Sequence, residues 1–473
     1  MPVRQIYPKP GWVEHDPDEL FDGAVAAARG AVAAAGVWFD DIAAVGIANQ
    51  RETVVVWERA TGRPVANAIV WQCRRTADAC EALKAQGHGD DIRRRTGLVI
   101  DPYFSATKIA WLLDRTAGGR RRGATGELCA GTVDSWLLFR LTGGTKHATD
   151  ATNASRTMLF NIHDLSWDET LLQLFDIPAR LMPEVRSSVA ELGSTAPAIF
   201  GRALPVMGIA GDQSAALYGQ ACFAAGMAKC TYGTGAFVLA NAGGAAKDAL
   251  PGLITTVAWR TGRRPVYAVE GSVFTTGAAV QWLRDELGII AAASDSDALA
   301  SSLPDNGGVY FVPAFAGLGA PHWDPDARGA IVGLTGGAHR AYLARAALEA
   351  TAYQVRDVVN AMAPALRASR DDRPLRADGG QSASEFLMQF QADILDRPVE
   401  VAAVQETTAL GAAFLAGRTA GIWSSEAELA SLWKASRVYE PRMSSAERLD
   451  LCAGWERALA RTRHRPPTPA VLL

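Results

Sequence analysis

Gly208-Ile-Ala-Gly-Asp-Gln213 closes an apolar segment on small residues and then presents a carboxylate and an amide. A strand that ends in a bare turn with Asp at its carboxyl edge places a general base at the mouth of a cleft, where ligands of open α/β sheets bind. The same Asp212 can equally cap a helix running from Ser214 to Gly219, which is the commoner use of Asp. The stretch falls between two blocks of alternating strands and helices, and their layout sets the fold class.

Upstream, Asp16, Pro17 and Glu19 form a capping-box start for an Ala-rich amphipathic helix that reaches Ala35. Apolar runs of strand length follow at Ile42 to Ile47, Thr53 to Trp57 and Val65 to Trp71. Between Thr76 and Gly144 the pattern is mostly helical, with stripes at Ile109 to Leu113 and Val133 to Leu141 and a Gly118 to Gly123 loop. Downstream, strands are expected at Ala228 to Tyr232 and Ala236 to Leu239, and helices at Gly277 to Leu287 and Arg340 to Met362. Two successive α/β blocks of similar size predict two lobes with a cleft between them. The Arg- and Pro-rich residues 461–473 read as a flexible tail.

The composition of the 473 residues narrows the function classes. With 49% hydrophobic residues, 21% charged residues and a net charge of -3, the chain has ample core and no basic footprint for nucleic acid. No stretch predicts a membrane span, and six scattered cysteines without a CxxC pair point to a reducing cytoplasm. The seven histidines form no HxxxH or HExxH, so no His-built metal site is indicated and the metal ligands stay unassigned. Neither GxxxxGK[ST] nor GxGxxG occurs, which excludes the P-loop and the usual dinucleotide fingerprint.

Three further motifs are short. Thr231-Tyr-Gly-Thr-Gly235 lies between two expected strands and is either a phosphate-binding hairpin or an ordinary glycine turn. Arg376-Ala-Asp-Gly-Gly380 precedes a helix expected from Ser382 to Leu395 and could set glycine amides against a nucleotide. Gln50-Arg51-Glu52 is a ligand clamp or a solvated salt bridge.

Longer motifs are more specific: QIYPKPGWVEHDP (Gln5 to Pro17), NQRET (Asn49 to Thr53), IVWQCRRTA (Ile69 to Ala77), TGLVIDPYFSATK (Thr96 to Lys108), TNASRTMLFNIH (Thr152 to His163) and FAGLGAPHWDPDARGAI (Phe315 to Ile331). Through them the chain resembles the FGGY family of carbohydrate kinases, its glycerol kinases in particular, within the actin and hexokinase superfamily. The resemblance runs from about Gln5 to about Trp455. It implies two actin-like, ribonuclease H-like lobes: an N-terminal FGGY domain over residues 1–220 holding glycerol, and a C-terminal FGGY domain over 221–460 holding ATP with Mg²⁺. A homo-oligomer, dimer or tetramer, is implied as well.

By that resemblance Arg51, Glu52, Tyr103, Asp212 and Gln213 form the polar wall around glycerol, and Trp71 and Phe237 cover its carbons. Asp212 is implied as the base. Thr234 and Gly235 would meet the nucleotide's phosphates, Gly277 and Gln281 would line the cleft, and Gly380 and Ser384 would lie near the nucleoside. A three-carbon polyol suits such a wall, since each hydroxyl both donates and accepts.

The family's opening strand, Gly-Thr-Thr-Ser-type phosphate loop and second strand have no counterpart ahead of the Ile6-Tyr-Pro-Lys-Pro-Gly11 motif. The first lobe is therefore expected to lack its N-terminal β-hairpin, and a start upstream of Met1 is expected. Two other readings follow from the same gap and the same family: a glycerol- or protein-binding remnant, or a kinase of another sugar. Ser384 stands where the family commonly has Asn, and Ala203, beside Arg202, stands where members inhibited by fructose 1,6-bisphosphate have Arg. Weak or absent inhibition by that bisphosphate is the expected result of an activity titration, and tight inhibition would refute it.

Overall fold

Asp16 sets the first long helix. Its carboxylate accepts from the backbone N–H of Asp18 at 2.9 Å and of Glu19, Pro17 occupies the first turn, and Gly36 ends Pro17–Ala35 in the left-handed region at φ 67°. Glu19 does not return the bond expected of a capping box, because its carboxylate turns to Arg4 at 3.3 Å. The structure is a computed structural model and describes residues 3–246, 250–364 and 373–463.

The expected strands form with shifted ends, as Val45–Asn49 and Val54–Glu58. The run Val65 to Trp71 yields only Ala68–Ile69, where the chain pairs with both Glu14–His15 and Val54–Glu58. Two features of the stretch between Thr76 and Gly144 differ from expectation. Leu128–Thr132 is a strand, buried at every residue and antiparallel to Val54–Glu58. Gly119–Thr125 is a short helix where a loop was expected.

Ten strands form one long sheet. Its order is Val45–Asn49, Pro205–Gly211, Val189–Ser194, Ile254–Thr261, Arg264–Val273, Ala236–Gly243, Ala228–Tyr232, Leu375–Asp378, Val399–Ala402 and Ala435–Tyr439. In the first half Val45–Asn49 runs parallel to Pro205–Gly211. The second half opens as an antiparallel meander and continues through the parallel strands Leu375–Asp378 and Val399–Ala402. A single parallel bridge, Val189 to Thr261, joins the halves. Val45–Asn49 ends the sheet, and among the described residues no strand lies along its outer edge.

One helix crosses between the halves. Thr407–Thr419 follows the last parallel strand of the second half but packs on Asp212–Gly219, Val45–Asn49 and Pro205–Gly211. The approach is backbone to backbone: a Cβ on Gly411 would lie 1.8 Å from the Ala215 carbonyl oxygen, and one on Gly219 would lie 2.1 Å from that of Thr407. Gln213, just past the carboxyl end of Pro205–Gly211, and Gly233, just past that of Ala228–Tyr232, line one cavity. Residues 461–463 are the last turn of the helix Ser445–Arg463, and residues 464–473 of the expected tail lie outside the described residues.

Asp134 carries a buried charge in the first half. It lies in the first turn of the helix Val133–Leu141, is fully buried, and accepts from the Thr132 hydroxyl at 2.5 Å and the Thr149 hydroxyl at 2.6 Å. Burial outweighs these two bonds and pushes its carboxyl up to about 7. Because the folded chain holds this proton up to a higher pH than the unfolded chain, the group costs stability as pH rises from about 4 to about 7, and fully above that. Asp134→Asn is expected to raise the melting temperature more at pH 8 than at pH 4; an equal shift at both would contradict it.

Candidate active site

The strand Pro205–Gly211 ends on Gly211, whose N–H donates to the Thr152 hydroxyl at 2.8 Å. A Cβ on Gly211 would fall 2.5 Å from Cγ of Arg51, so the glycine is what lets that side chain lie across the strand end. Asp212 then opens the helix Asp212–Gly219; its Oδ1 accepts from the adjacent Gln213 N–H at 2.6 Å and stands 3.2 Å from Nε of Arg51. The Asp212 side chain remains 34% exposed. The carboxylate thus meets one first-turn N–H of the helix and the Arg51 guanidinium while part of it stays open.

Arg51 and Glu52 are 2% and 1% exposed, which removes the solvated salt-bridge reading. Arg51 makes two parallel bonds to Glu270, Nη1 to Oε2 at 2.7 Å and Nη2 to Oε1 at 2.9 Å. Glu52, held in the left-handed region at φ 61°, accepts from Nε of Arg156 at 2.5 Å, and Arg156 Nη2 reaches Glu270 Oε1 at 3.1 Å. Two guanidinium groups and two carboxylates thus balance in a dry interior. Burial pushes the Glu52 carboxyl upward, whereas at Glu270 the same penalty is overcome by Arg156 and Arg51, which hold it down at about 2. The Arg156 guanidinium also lies 5.5 Å from the Tyr103 ring centroid and 5.2 Å from that of Phe104.

In front of this network lies a cavity of about 1270 Å³. Trp71, Tyr103, Gln213 and Phe237 of the expected substrate residues line it, with Thr234 and Gly235 of the expected nucleotide residues. Trp71 and Tyr103 meet edge to face at 5.6 Å, and burial pushes the Tyr103 phenol upward, keeping it a hydrogen-bond donor. Arg51, Glu52 and Asp212, joined to one another, do not themselves line this cavity; Asp212 stands beside Gln213, which does.

The glycine hairpin between Ala228–Tyr232 and Ala236–Gly243 projects Thr234 into solvent, and Gly233 N–H closes the turn on the Gly235 carbonyl at 2.8 Å. Gly277 does not line the cavity. Its N–H donates to the Gly233 carbonyl at 3.1 Å, and that of Ala278 to Thr234 at 3.1 Å, so the start of the helix Gly277–Asp285 braces the hairpin. Gln281 is exposed on that helix, and Gly380 is exposed at the start of the tight turn Gly380–Ala383. The helix expected from Ser382 begins instead at Glu385, because Ser384 is its cap, accepting from Leu387 N–H at 3.0 Å while donating to Asp297. The Ser384 hydroxyl therefore already has two protein partners.

The FGGY family of carbohydrate kinases matches through its N-terminal domain over residues 1–219 and through its C-terminal domain over residues 228–420. The chain belongs to this family. Among FGGY relatives, glycerol kinase 2 of Thermotoga maritima is 55% identical over 463 residues, 97% of this chain and 92% of that protein. The glycerol kinase of Symbiobacterium thermophilum is 56% identical over 462 residues, again 97% of this chain and 92% of the relative. The crystal structure of Plasmodium falciparum glycerol kinase with ADP superposes with a TM-score of 0.91 at 36% identity, covering 98% of this chain and 93% of that one. A gluconate kinase from Lactobacillus acidophilus, at 22% identity and a TM-score of 0.83, shares the FGGY fold.

Sequence reasoning missed Glu270, Arg156, Lys229 and Gln381. Glu270 is the acidic residue inside the otherwise apolar Tyr267-Ala-Val-Glu-Gly-Ser-Val273, a pattern that by itself signals a buried, paired carboxylate. Gln381 donates to the Gly233 carbonyl at 2.9 Å and so ties the Gly380 turn to the hairpin. Removing Glu270 leaves two buried guanidinium groups sharing Glu52. Glu270→Ala is expected to destabilise the fold by about 3–5 kcal/mol, read as a fall in melting temperature, and an unchanged melting temperature would show the pairing to be dispensable.

Proposed function

We propose that this chain transfers the γ-phosphoryl group of ATP to glycerol, giving sn-glycerol 3-phosphate and ADP. The observation that carries the reading is the meeting in one cavity of a short polyol wall, Trp71, Tyr103, Gln213 and Phe237, with the Thr234-Gly235 hairpin, in a chain 53–56% identical to glycerol kinases over about 97% of its length. In this reading residues 1–220 carry the glycerol side and 221–460 the nucleotide side.

Each group has a definite task. Arg51, pinned by Glu270, holds its Nε against the Asp212 carboxylate and so positions it, and Glu52, pinned by Arg156, is the proposed carboxylate acceptor for a hydroxyl proton. Gln213 and Tyr103 complete the polar set, while Trp71 and Phe237 exclude water from the carbons. Asp212 takes the proton of the attacking hydroxyl as its oxygen bonds to the γ-phosphorus and the bond to the ADP oxygen breaks. Thr234 and Gly235 meet the phosphates, with Gly277 and Gln381 bracing them from behind. Gln281, Gly380 and Ser384 are the proposed nucleoside side of the site.

Among the described residues no group of three or more His, Cys, Asp or Glu side chains is placed to hold a metal. A Mg²⁺ would be carried mainly on the nucleotide's own oxygens, and the partly exposed carboxylate of Asp212 is the protein group that would meet it. When bound, the ion would supply neutralisation of phosphate charge. No helix among the described residues is long and apolar enough to cross a membrane, and all six cysteines are free and buried, in keeping with work in a reducing cytoplasm.

Glycerol-dependent ADP release by the purified chain with ATP and Mg²⁺, measured beside xylulose and gluconate, tests the reading. Glycerol is expected to be the preferred acceptor, and a preference for either sugar would overturn it. Asp212→Asn is expected to lower kcat by about 10²–10⁴-fold while glycerol still raises the melting temperature. A fully active variant would remove Asp212 from the base role.

A further inference from the structure

Lys229 lies on the strand Ala228–Tyr232 with its whole side chain buried, and its ammonium group donates to Oε1 of Gln213 and to the Thr231 hydroxyl at 2.8 Å. Neither bond is incidental to the cleft. Gln213 and Thr231 both line the cavity, and Lys229 reaches from the second half of the sheet to the first turn of Asp212–Gly219 to make the first of them. Burial pulls the lysine pKa down, and the charges of Asp378 and Asp212 work against that pull.

An ammonium group has donors and no acceptor, so the carboxamide of Gln213 must turn its oxygen toward it. The opposite orientation would set two N–H groups against three. With the oxygen held, the Nε2 hydrogens are the end of Gln213 left to meet a ligand in the cavity. Without Lys229 the two orientations of a planar amide are nearly equal in shape, and Gln213 could present either a donor or an acceptor. Thr231 adds a second constraint, since it opens the glycine hairpin two residues farther along the same strand.

Resting on the glycerol kinase reading, we propose that Lys229 is a positioning residue that fixes the Gln213 amide as a hydrogen-bond donor to one substrate hydroxyl and ties that contact to the phosphate hairpin. The bland alternative is a structural counter-ion for Asp378 and Asp212. The two differ in what a substitution changes: positioning acts through Gln213 on the acceptor, whereas a counter-ion acts on the fold and on both substrates.

The test is a cycle of Lys229→Met, Gln213→Ala and the double variant, with kcat and both KM values measured for glycerol, propane-1,2-diol and propane-1,3-diol. Lys229→Met is expected to raise the glycerol KM by about tenfold, a hydrogen bond's worth of binding, with the KM for ATP and kcat within about twofold. The double variant is expected to be no worse than Gln213→Ala, and the diol that lacks the hydroxyl read by Gln213 to be insensitive to Lys229→Met. Additive losses, or equal losses in the KM for ATP and in kcat, overturn the proposal. Should Lys229→Met not fold, Gln213→Glu keeps the partner for the lysine but has no amide donor; it is expected to raise the glycerol KM alone, and an unchanged KM overturns the proposal. A wild-type chain inactive toward glycerol would fail the underlying reading, whereas an active wild type with an additive cycle fails this inference alone.

Discussion

The paired contact between Arg51 and Glu270 is made by residues 219 positions apart, one from each half of the molecule, and both are shut away from water. Charges in such a place are stable only when every partner is present and correctly aimed, because the loss of solvation is large and is recovered through short, directed bonds. Arg156 and Glu52 complete the balance, so four buried charges beside the cleft constrain one another. Such a network adds little to stability compared with an apolar core of the same volume. What it provides is a fixed orientation for the Nε edge of Arg51 beside Asp212.

The rest of the cleft is arranged beside those charges by backbone contacts. Gly211 admits the arginine, and the Gly233 carbonyl gathers Gly277, Thr276 and Gln381 behind the hairpin. These contacts leave little freedom for the hairpin, whose tip, Thr234, is exposed while its stem is buried. The glycine-rich turn is therefore a braced element. A gluconate kinase and a xylulose kinase at 22% identity share this frame, so the frame alone does not fix an activity.

Local signals were legible where they were strong and short-ranged. Asp16 and Pro17 open the first helix and Ala35 ends it as expected, and the strands flanking Thr231-Tyr-Gly-Thr-Gly235 fold into the hairpin their spacing predicts. Leu128–Thr132 was hidden because a five-residue apolar run inside a helical pattern has no period of its own, and its identity as a strand comes from Val54–Glu58, some seventy residues away. Asp212 and Gln213 could be singled out by type, but the partners that set their orientation, Arg51, Lys229 and Glu270, belong to three other segments. Ser384 illustrates the same limit, since its hydroxyl is taken by Asp297, 87 residues earlier in the chain. Pairings at such separations are made by topology and leave no mark in local composition.

The crossing of Thr407–Thr419 bears on how the molecule is made. This helix covers Val45–Asn49 and Pro205–Gly211, yet it lies about 200 residues beyond the second of them. A ribosome adding about 5–20 residues per second leaves that face of the first half uncovered for on the order of 10–40 s after its own strands have emerged. During this interval the nascent chain exposes an apolar, glycine-lined surface of the kind that chaperones shield. The earlier half thus receives its final layer from the later one, shortly before the later half's own last strand, Ala435–Tyr439, is made.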